Sequence, residues 1–208
     1  QRELDGWRKK WAQKVEVLGV GSTGSGRELI GELVGADAVH DEITAHKTGA
    51  DAVAKRLFND SVDTIFEIGG QDSKFISIDD GVVVDFAMNE ACAAGTGSFL
   101  EEQAGKLGIS IKEDFAELAL SSEAPIRLGE RCTVFMEKDV TAFMQQGHDV
   151  KDITAGLAYA VVQNYLNRVV RGRKIGERIY FQGGTAYNKA VAAAFSTVLE
   201  KKIIVPPH

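Results

Sequence analysis

Proline is nearly absent from this chain: three residues in 208, two of them the adjacent Pro206-Pro207. With no Pro-rich, low-complexity or charge-block segment, nothing in the composition marks a linker. Long apolar runs are missing too, and none approaches the roughly 18 residues of a membrane span. The opening QRELDGWRKKWAQK lacks the apolar stretch of a signal peptide. Positive charge is in deficit, with 24 Lys and Arg against 30 Asp and Glu and a net charge of −6. A sequence-independent nucleic-acid binder would show a basic face instead. The expectation is a cytoplasmic chain with no nucleic-acid or membrane partner. Hydrophobic residues at 44% and charged residues at 26% exclude a disordered chain. The length suits one large domain or two small ones.

Glycine is abundant where proline is not: 22 residues, about 11% against an average near 7%. Without Pro or Ser repeats, such a content points to tight turns and close backbone approaches. Strand-like and helix-like segments alternate between those turns. Val15–Val20 reads as a strand running into a glycine turn, followed by a helix over Arg27–Val34 whose Leu29, Ile30, Leu33 and Val34 repeat at helical spacing. Asp41–Phe58 reads as a longer helix that Asp41 or Thr44 could cap. Thr64–Ile68 is a strand, and Asp79-Asp80-Gly81 between Lys74–Ile78 and Val82–Phe86 is a hairpin signal. Helical patterns follow over Gly97–Leu107, Lys112–Leu120, Thr133–Gln146 and Asp152–Val170, the last with one apolar face of Ile153, Leu157, Ala160 and Val161. Arg178–Gln182 is a strand, Ala186–Leu199 a helix, and Ile203–Val205 a closing strand. A strand, glycine turn and helix recurring three times make an α/β protein.

The three turns are GVGSTGSGR (19–27), EIGGQDSK (67–74) and FQGGTAYN (181–188). Glycine lets backbone N–H groups approach phosphate oxygens, and a following helix N-terminus adds partial positive charge. None of the three matches the G-x-x-x-x-G-K-[ST] loop or a clean G-x-G-x-x-G. Singly each could be a plain turn; together they favour a nucleotide. In the middle one, Glu67, Gln71 and Asp72 add polar groups at the mouth. An acidic residue there could hold Mg²⁺ through water, and Gln71 or Asp72 could orient an attacking water.

Cysteine is as scarce as proline. Cys92 and Cys132 are the two, and no C-x-x-C pair exists, which excludes single-chain zinc-ribbon and ferredoxin frameworks. Each lies just before a helical pattern, where the helix dipole favours thiolate over thiol. Two small buried apolar residues would account for them equally well. As metal ligands, two cysteines cannot complete a four-thiolate site in one chain, so that reading requires a symmetric dimer supplying two from each subunit.

GSTGSGR, DEITAHKTGA (41–50), EIGGQDSK, NEACAAGTGSFLE, ERCTVF and FQGGTAYNKAV occur in this order over nearly the whole chain. In these motifs the sequence resembles the activator ATPases of 2-hydroxyacyl-CoA dehydratases and the benzoyl-CoA reductase ATPase subunits. The resemblance implies an actin-like ATPase fold (acetate kinase/Hsp70/actin), with two α/β lobes around a nucleotide cleft. The lobes would cover approximately 1–90 and 91–185, with 186–208 returning to the first. It implies ATP or ADP with Mg²⁺ held by Gly21, Ser22, Thr23 and Gly24, by Gly69, Gly70 and Gln71, by Gly95, Thr96 and Gly97, and by Gly183, Gly184 and Asn188. Glu67, Gln71 and Asp72 would be catalytic. It further implies a homodimer bridged by one 4Fe-4S cluster on Cys92 and Cys132 of each subunit. Such a dimer takes electrons from reduced ferredoxin or flavodoxin and passes one to a partner iron–sulfur dehydratase or reductase.

Two departures qualify the resemblance. Actin-like ATPases carry a D-x-G-[ST]-x-x-x-K segment that these residues lack, and relatives usually continue past the position of Pro206-Pro207-His208 into another glycine-rich helix, so the expectation is a domain or fragment of a larger chain, truncated at both ends of the first lobe. Glu67 also stands where many relatives have Asp. Two other readings fit the residues: an actin-fold small-molecule kinase, with incidental cysteines, and a non-catalytic iron–sulfur dimerisation module.

Overall fold

The computed structural model describes residues 16–89, 93–128 and 133–207. Cys92 and Cys132 lie outside the described residues. The chain divides between His46 and Lys47 into two compact units.

In the first unit, strand β1 (Gly21–Ser22) pairs in parallel with β2 (Ala38–Val39), and α1 (Arg27–Val34) connects them. The strand expected before the first turn is displaced: residues 16–20 have no regular structure, and pairing begins at Gly21. The polar side chain of Asp37 explains the shift, because its carboxylate rather than a ladder carbonyl accepts the Val20 N–H at 2.7 Å. Helix α1 ends on Gly35 in the left-handed conformation, as glycine C-caps do. Asp41 precedes α2 (Glu42–Val53) and accepts from the Thr44 N–H at 2.9 Å and the Thr44 hydroxyl at 2.7 Å, so it is the cap. These bonds hold the exposed Asp41 carboxyl below its ordinary pKa. In the second unit, a π-helical turn over Ala54–Phe58 completes the segment expected to be helical.

The second unit is built on a five-stranded sheet in the order β5-β4-β3-β6-β7. Its strands are β3 (Thr64–Ile68), β4 (Ser73–Asp79), β5 (Val82–Asn89), β6 (Ile179–Gln182) and β7 (Ile203–Ile204). The first three form an antiparallel meander, while β6 and β7 run parallel to β3. All five β3 residues are buried, as a central strand covered on both faces requires. The β4–β5 hairpin closes through Asp80 (φ 47°) and Gly81 (φ 74°), the two positive φ angles of a type I′ turn.

Helices α3 (Gly97–Leu107), α4 (Phe115–Leu120), α5 (Thr133–Gln145), α6 (Val150–Tyr165) and α7 (Lys189–Leu199) fill the rest of the unit. Helix α6 is its core: Ile153, Leu157, Ala160 and Val161 are all buried, as their spacing predicts. Gly156 lets the 126 segment cross α6, since a Cβ there would lie 2.3 Å from the Ile126 carbonyl oxygen. Phe66, Tyr165, Phe181 and Phe195 pack with ring centroids 5.1–5.5 Å apart, joining the sheet to α6 and α7.

One expectation differs from this architecture. The middle glycine turn joins β3 to antiparallel β4, so strand–turn–strand replaces the expected strand–turn–helix.

Candidate functional site

Parallel pairing of β3 and β6 sets Glu67 opposite Gln182, so both strands end side by side and the Gly69-Gly70 and Gly183-Gly184 turns are neighbours. Crevices beyond the carboxyl ends of parallel strands are where α/β folds bind ligands. Gly183, at φ 88°, admits no side chain: a Cβ would lie 2.3 Å from the Ile68 oxygen and 2.8 Å from Glu67 Oε1. The α3 N-terminus docks on the middle turn, with Gly97 N–H donating to Gly69 O at 2.8 Å and Ser98 N–H to Gly70 O at 2.9 Å. A Cβ at Gly97 would meet Thr185 Oγ1 at 2.7 Å and Gly69 O at 3.0 Å. Two turns and one helix terminus therefore interlock through positions that only glycine fills.

A buried ion cluster sits at the base of the middle turn. Antiparallel register places Lys74 directly opposite Glu67, and both are almost fully buried. The Lys74 ammonium lies 2.6 Å from Asp72 Oδ2 and 3.2 Å from Glu67 Oε2; Asp72 keeps 40% of its side chain exposed. Burial works against the ammonium, but the hydrogen bond to Asp72 and the nearby Glu67 charge outweigh it and raise the Lys74 pKa. The Tyr165 hydroxyl donates to the Lys74 carbonyl at 2.7 Å, tying the turn to the core. Burial, reinforced by the Glu67 charge, holds that phenol well above its ordinary pKa.

Gly70, Gly97, Glu101, Ile111, Lys112, Ala116, Gly184, Thr185, Tyr187 and Asn188 line an adjoining cavity of about 550 Å³. That is within the size range of small-molecule sites. Asn188 accepts from Ala190 N–H at 3.0 Å and Val191 N–H at 3.4 Å, which caps α7 and fixes its amide against the cavity. Tyr187 is 68% exposed on the rim.

Of the residues singled out from sequence, Gly69, Gly70, Gly97, Gly183, Gly184 and Asn188 come together here, with Glu67 and Asp72 at their base. Gln71 is exposed at the turn tip, and Thr96 is buried at the α3 N-cap. Gly95 packs on the α6 backbone, 3.5 Å from Tyr165 N if given a Cβ. Gly21, Ser22, Thr23 and Gly24 belong to the other unit, where Ser22 donates to Arg27 O at 2.9 Å and Arg27 Nη1 donates to Gly24 O at 3.2 Å. Among the described residues no group of three or more His, Cys, Asp or Glu is arranged to hold a metal ion. Sequence reading overlooked Lys74, Glu101, Lys112, Thr185 and Tyr187. Lys74 was within reach, because a hairpin over EIGGQDSK sets it across from Glu67.

A meander continued by parallel strands, with glycine turns at the carboxyl ends and helices packed over them, defines an actin-like ATPase fold. Residues 8–208 match the BadF/BadG/BcrA/BcrD ATPase family, and the chain belongs to it. The (R)-2-hydroxyglutaryl-CoA dehydratase activating ATPase of Acidaminococcus fermentans is 34% identical over 89% of this chain and 68% of its own length. An uncharacterised Methanocaldococcus jannaschii protein is 31% identical over 93% of this chain, which spans 46% of that protein. The crystal structure of the A. fermentans dehydratase component A superposes with a TM-score of 0.86 at 31% identity, covering 99% of this chain and 76% of that one. The Clostridium difficile activator of 2-hydroxyisocaproyl-CoA dehydratase, solved with bound ADPNP, gives 0.86 at 28% identity over 99% and 74%. This chain thus spans from about half to three-quarters of the length of these relatives. Among the described residues no helix is long and apolar enough to cross a membrane.

Proposed function

We propose that this chain is part of a cytoplasmic, ATP-dependent activator that passes one low-potential electron to a partner iron–sulfur dehydratase or reductase acting on a CoA thioester. The observation that carries the nucleotide half is the interlocking of Gly97 with Thr185 and of Gly183 with Ile68 beside the 550 Å³ cavity. That close packing of the two turns holds Gly70 and Gly184, where a Cβ would meet nothing within 4 Å, on the cavity wall. Gly69 and Gly70 face the phosphates in this reading, and Gly183, Gly184 and Asn188 face the adenosine. Tyr187 offers the base a ring to stack on. Thr96 and, through its packing on α6, Gly95 serve the same nucleotide. Asp72 and Glu67 present carboxylate oxygens suited to Mg²⁺ through water, and exposed Gln71 orients the attacking water.

The electron-transfer half rests on kinship with the dehydratase activators and on the two cysteines. Cys92 directly precedes the helical turn Ala93–Gly95, and Cys132 directly precedes α5. Two subunits would hold one 4Fe-4S cluster through these four thiolates, and the cluster, when bound, supplies the one-electron chemistry. Reduced ferredoxin or flavodoxin is the proposed donor. The Gly97 and Ser98 bonds give nucleotide at the middle turn a direct mechanical link to the segment that follows Cys92.

The test combines ADP titration with anaerobic reconstitution in iron and sulfide. Expected are saturable ADP binding, about two irons per chain in a dimer, and loss of the iron from a Cys92→Ser, Cys132→Ser variant. A folded monomer that binds nucleotide but no iron, and phosphorylates a small molecule, would replace this reading with the kinase.

A further inference from the structure

Lys74 has no part in the roles assigned so far, yet it is the best-buried cation of the site. It is 3% exposed, and three constraints fix its position. Strand register sets it opposite Glu67, the Tyr165 hydroxyl holds its carbonyl, and its ammonium spans Asp72 at 2.6 Å and Glu67 at 3.2 Å. The two carboxylates meet at Gly69, and Glu67 reaches further. Glu67 directs Oε1 at Gly183 and Gly69, 2.8 and 3.2 Å from where their Cβ atoms would stand, while Asp72 directs Oδ1 at Gly69, 3.0 Å from the same point. A single ammonium thus sets carboxylates that abut both glycine turns. Each carboxylate has one oxygen on Lys74 and the other toward a turn. Without the cation, Glu67 would be a buried anion beside a second anion, and neither would keep its place.

We propose that Lys74 is a positioning residue for the divalent cation of the nucleotide. It aims Glu67 and Asp72 so that the cation-dependent part of nucleotide affinity requires it, while the cation-free part does not. This rests on the nucleotide reading above. The physical argument is that of an outer-shell partner: a group that orients carboxylates without touching ligand affects the metal more than the nucleotide.

The experiment measures ADP affinity of the 208-residue chain by calorimetry, with Mg²⁺ and with EDTA, for wild type, Lys74→Met and Lys74→Arg. Thermal unfolding checks that each variant is folded. Lys74→Met is expected to lose at least about tenfold of the Mg²⁺ enhancement, as for other outer-shell substitutions, with the EDTA affinity within about twofold of wild type. Lys74→Arg keeps the charge but replaces the single ammonium nitrogen that Asp72 and Glu67 share. It is expected to lose a smaller part of the enhancement, and it serves as the deciding variant if Lys74→Met does not fold. An unchanged Mg²⁺ enhancement in a folded variant would overturn the proposal. So would an equal fall of both affinities, which would make Lys74 merely structural. If wild type binds no ADP in either condition, the nucleotide reading fails first and this inference falls with it.

Discussion

Strand β4 ends in two turns of opposite character. At one end, Asp80 and Gly81 reverse the chain with their own positive φ angles, and a Cβ on Gly81 would meet nothing within 4 Å. At the other end, Gly69–Asp72 closes with Gly69 N–H donating to Asp72 O at 2.9 Å, and distant groups then clamp it. Gly97 and Ser98 donate to its carbonyls, Gly183 presses on the strand before it, and Lys74 binds two carboxylates beneath it. A turn that only reverses the chain is specified by its own residues. A turn that builds a site takes its shape from residues far along the sequence, and is the more fragile for it.

That difference separates the expected effects of one substitution, glycine to alanine, at the two ends. Gly183→Ala is the most damaging, because strain at φ 88° adds to a backbone clash that no side-chain rotation relieves. A loss of about 3 kcal/mol or more of unfolding free energy is expected, together with loss of ADP binding. Denaturant titration and calorimetry read both. A cost below about 1 kcal/mol would mean that the two turns are not interlocked as described.

The same contrast governs what the sequence made legible. The Asp80-Gly81 hairpin, Thr64–Ile68, Arg27–Val34, Gly97–Leu107 and the buried face of α6 could all be read in advance, since periodicity and local turn chemistry decide them. The convergence of FQGGTAYN with EIGGQDSK could be suspected, yet its geometry depends on parallel β3–β6 pairing across more than a hundred residues, which no local signal records. Glu67 and Asp72 were recognised as acidic groups at a turn. Their shared cation was not, because a lysine in a polar hairpin reads as a solvated charge until burial is known. Glu101, Lys112 and Tyr187 escaped for a related reason: only the packing of α3 and the 184–187 turn brings them to one cavity.

Tyr165→Phe probes the anchor between the clamped turn and the core, and its effect should be intermediate. Removing the hydroxyl takes the 2.7 Å bond from the Lys74 carbonyl, at an expected cost of about 1–2 kcal/mol at neutral pH. The pH dependence is more diagnostic. Tyr165 titrates well above its ordinary 10.0 in the folded protein, so the unfolded chain releases this proton first. Its stabilising contribution is intact below about pH 10 and is lost as pH rises past that value. Lys74 and Tyr180 are also raised and act in the same direction. Wild-type stability should therefore decline in alkali, and Tyr165→Phe should make that decline shallower without abolishing it. Parallel alkaline profiles would remove Tyr165 from the anchor.

Gly81→Ala completes the comparison as the mildest change. Alanine at φ 74° is strained, at about 1 kcal/mol, but its methyl group points into open space. Gly81→Asn should recover part of that cost, since asparagine tolerates the left-handed region better than alanine. Neither variant should alter ADP affinity, because nothing at that turn contacts the clamped one except through the length of β4. Weakened ADP binding in Gly81→Ala would show that strain travels along the strand and that the two ends are not independent. Unchanged binding with a small stability loss would leave the clamped end, with its buried lysine and long-range glycine contacts, as the part of β4 that the function depends on.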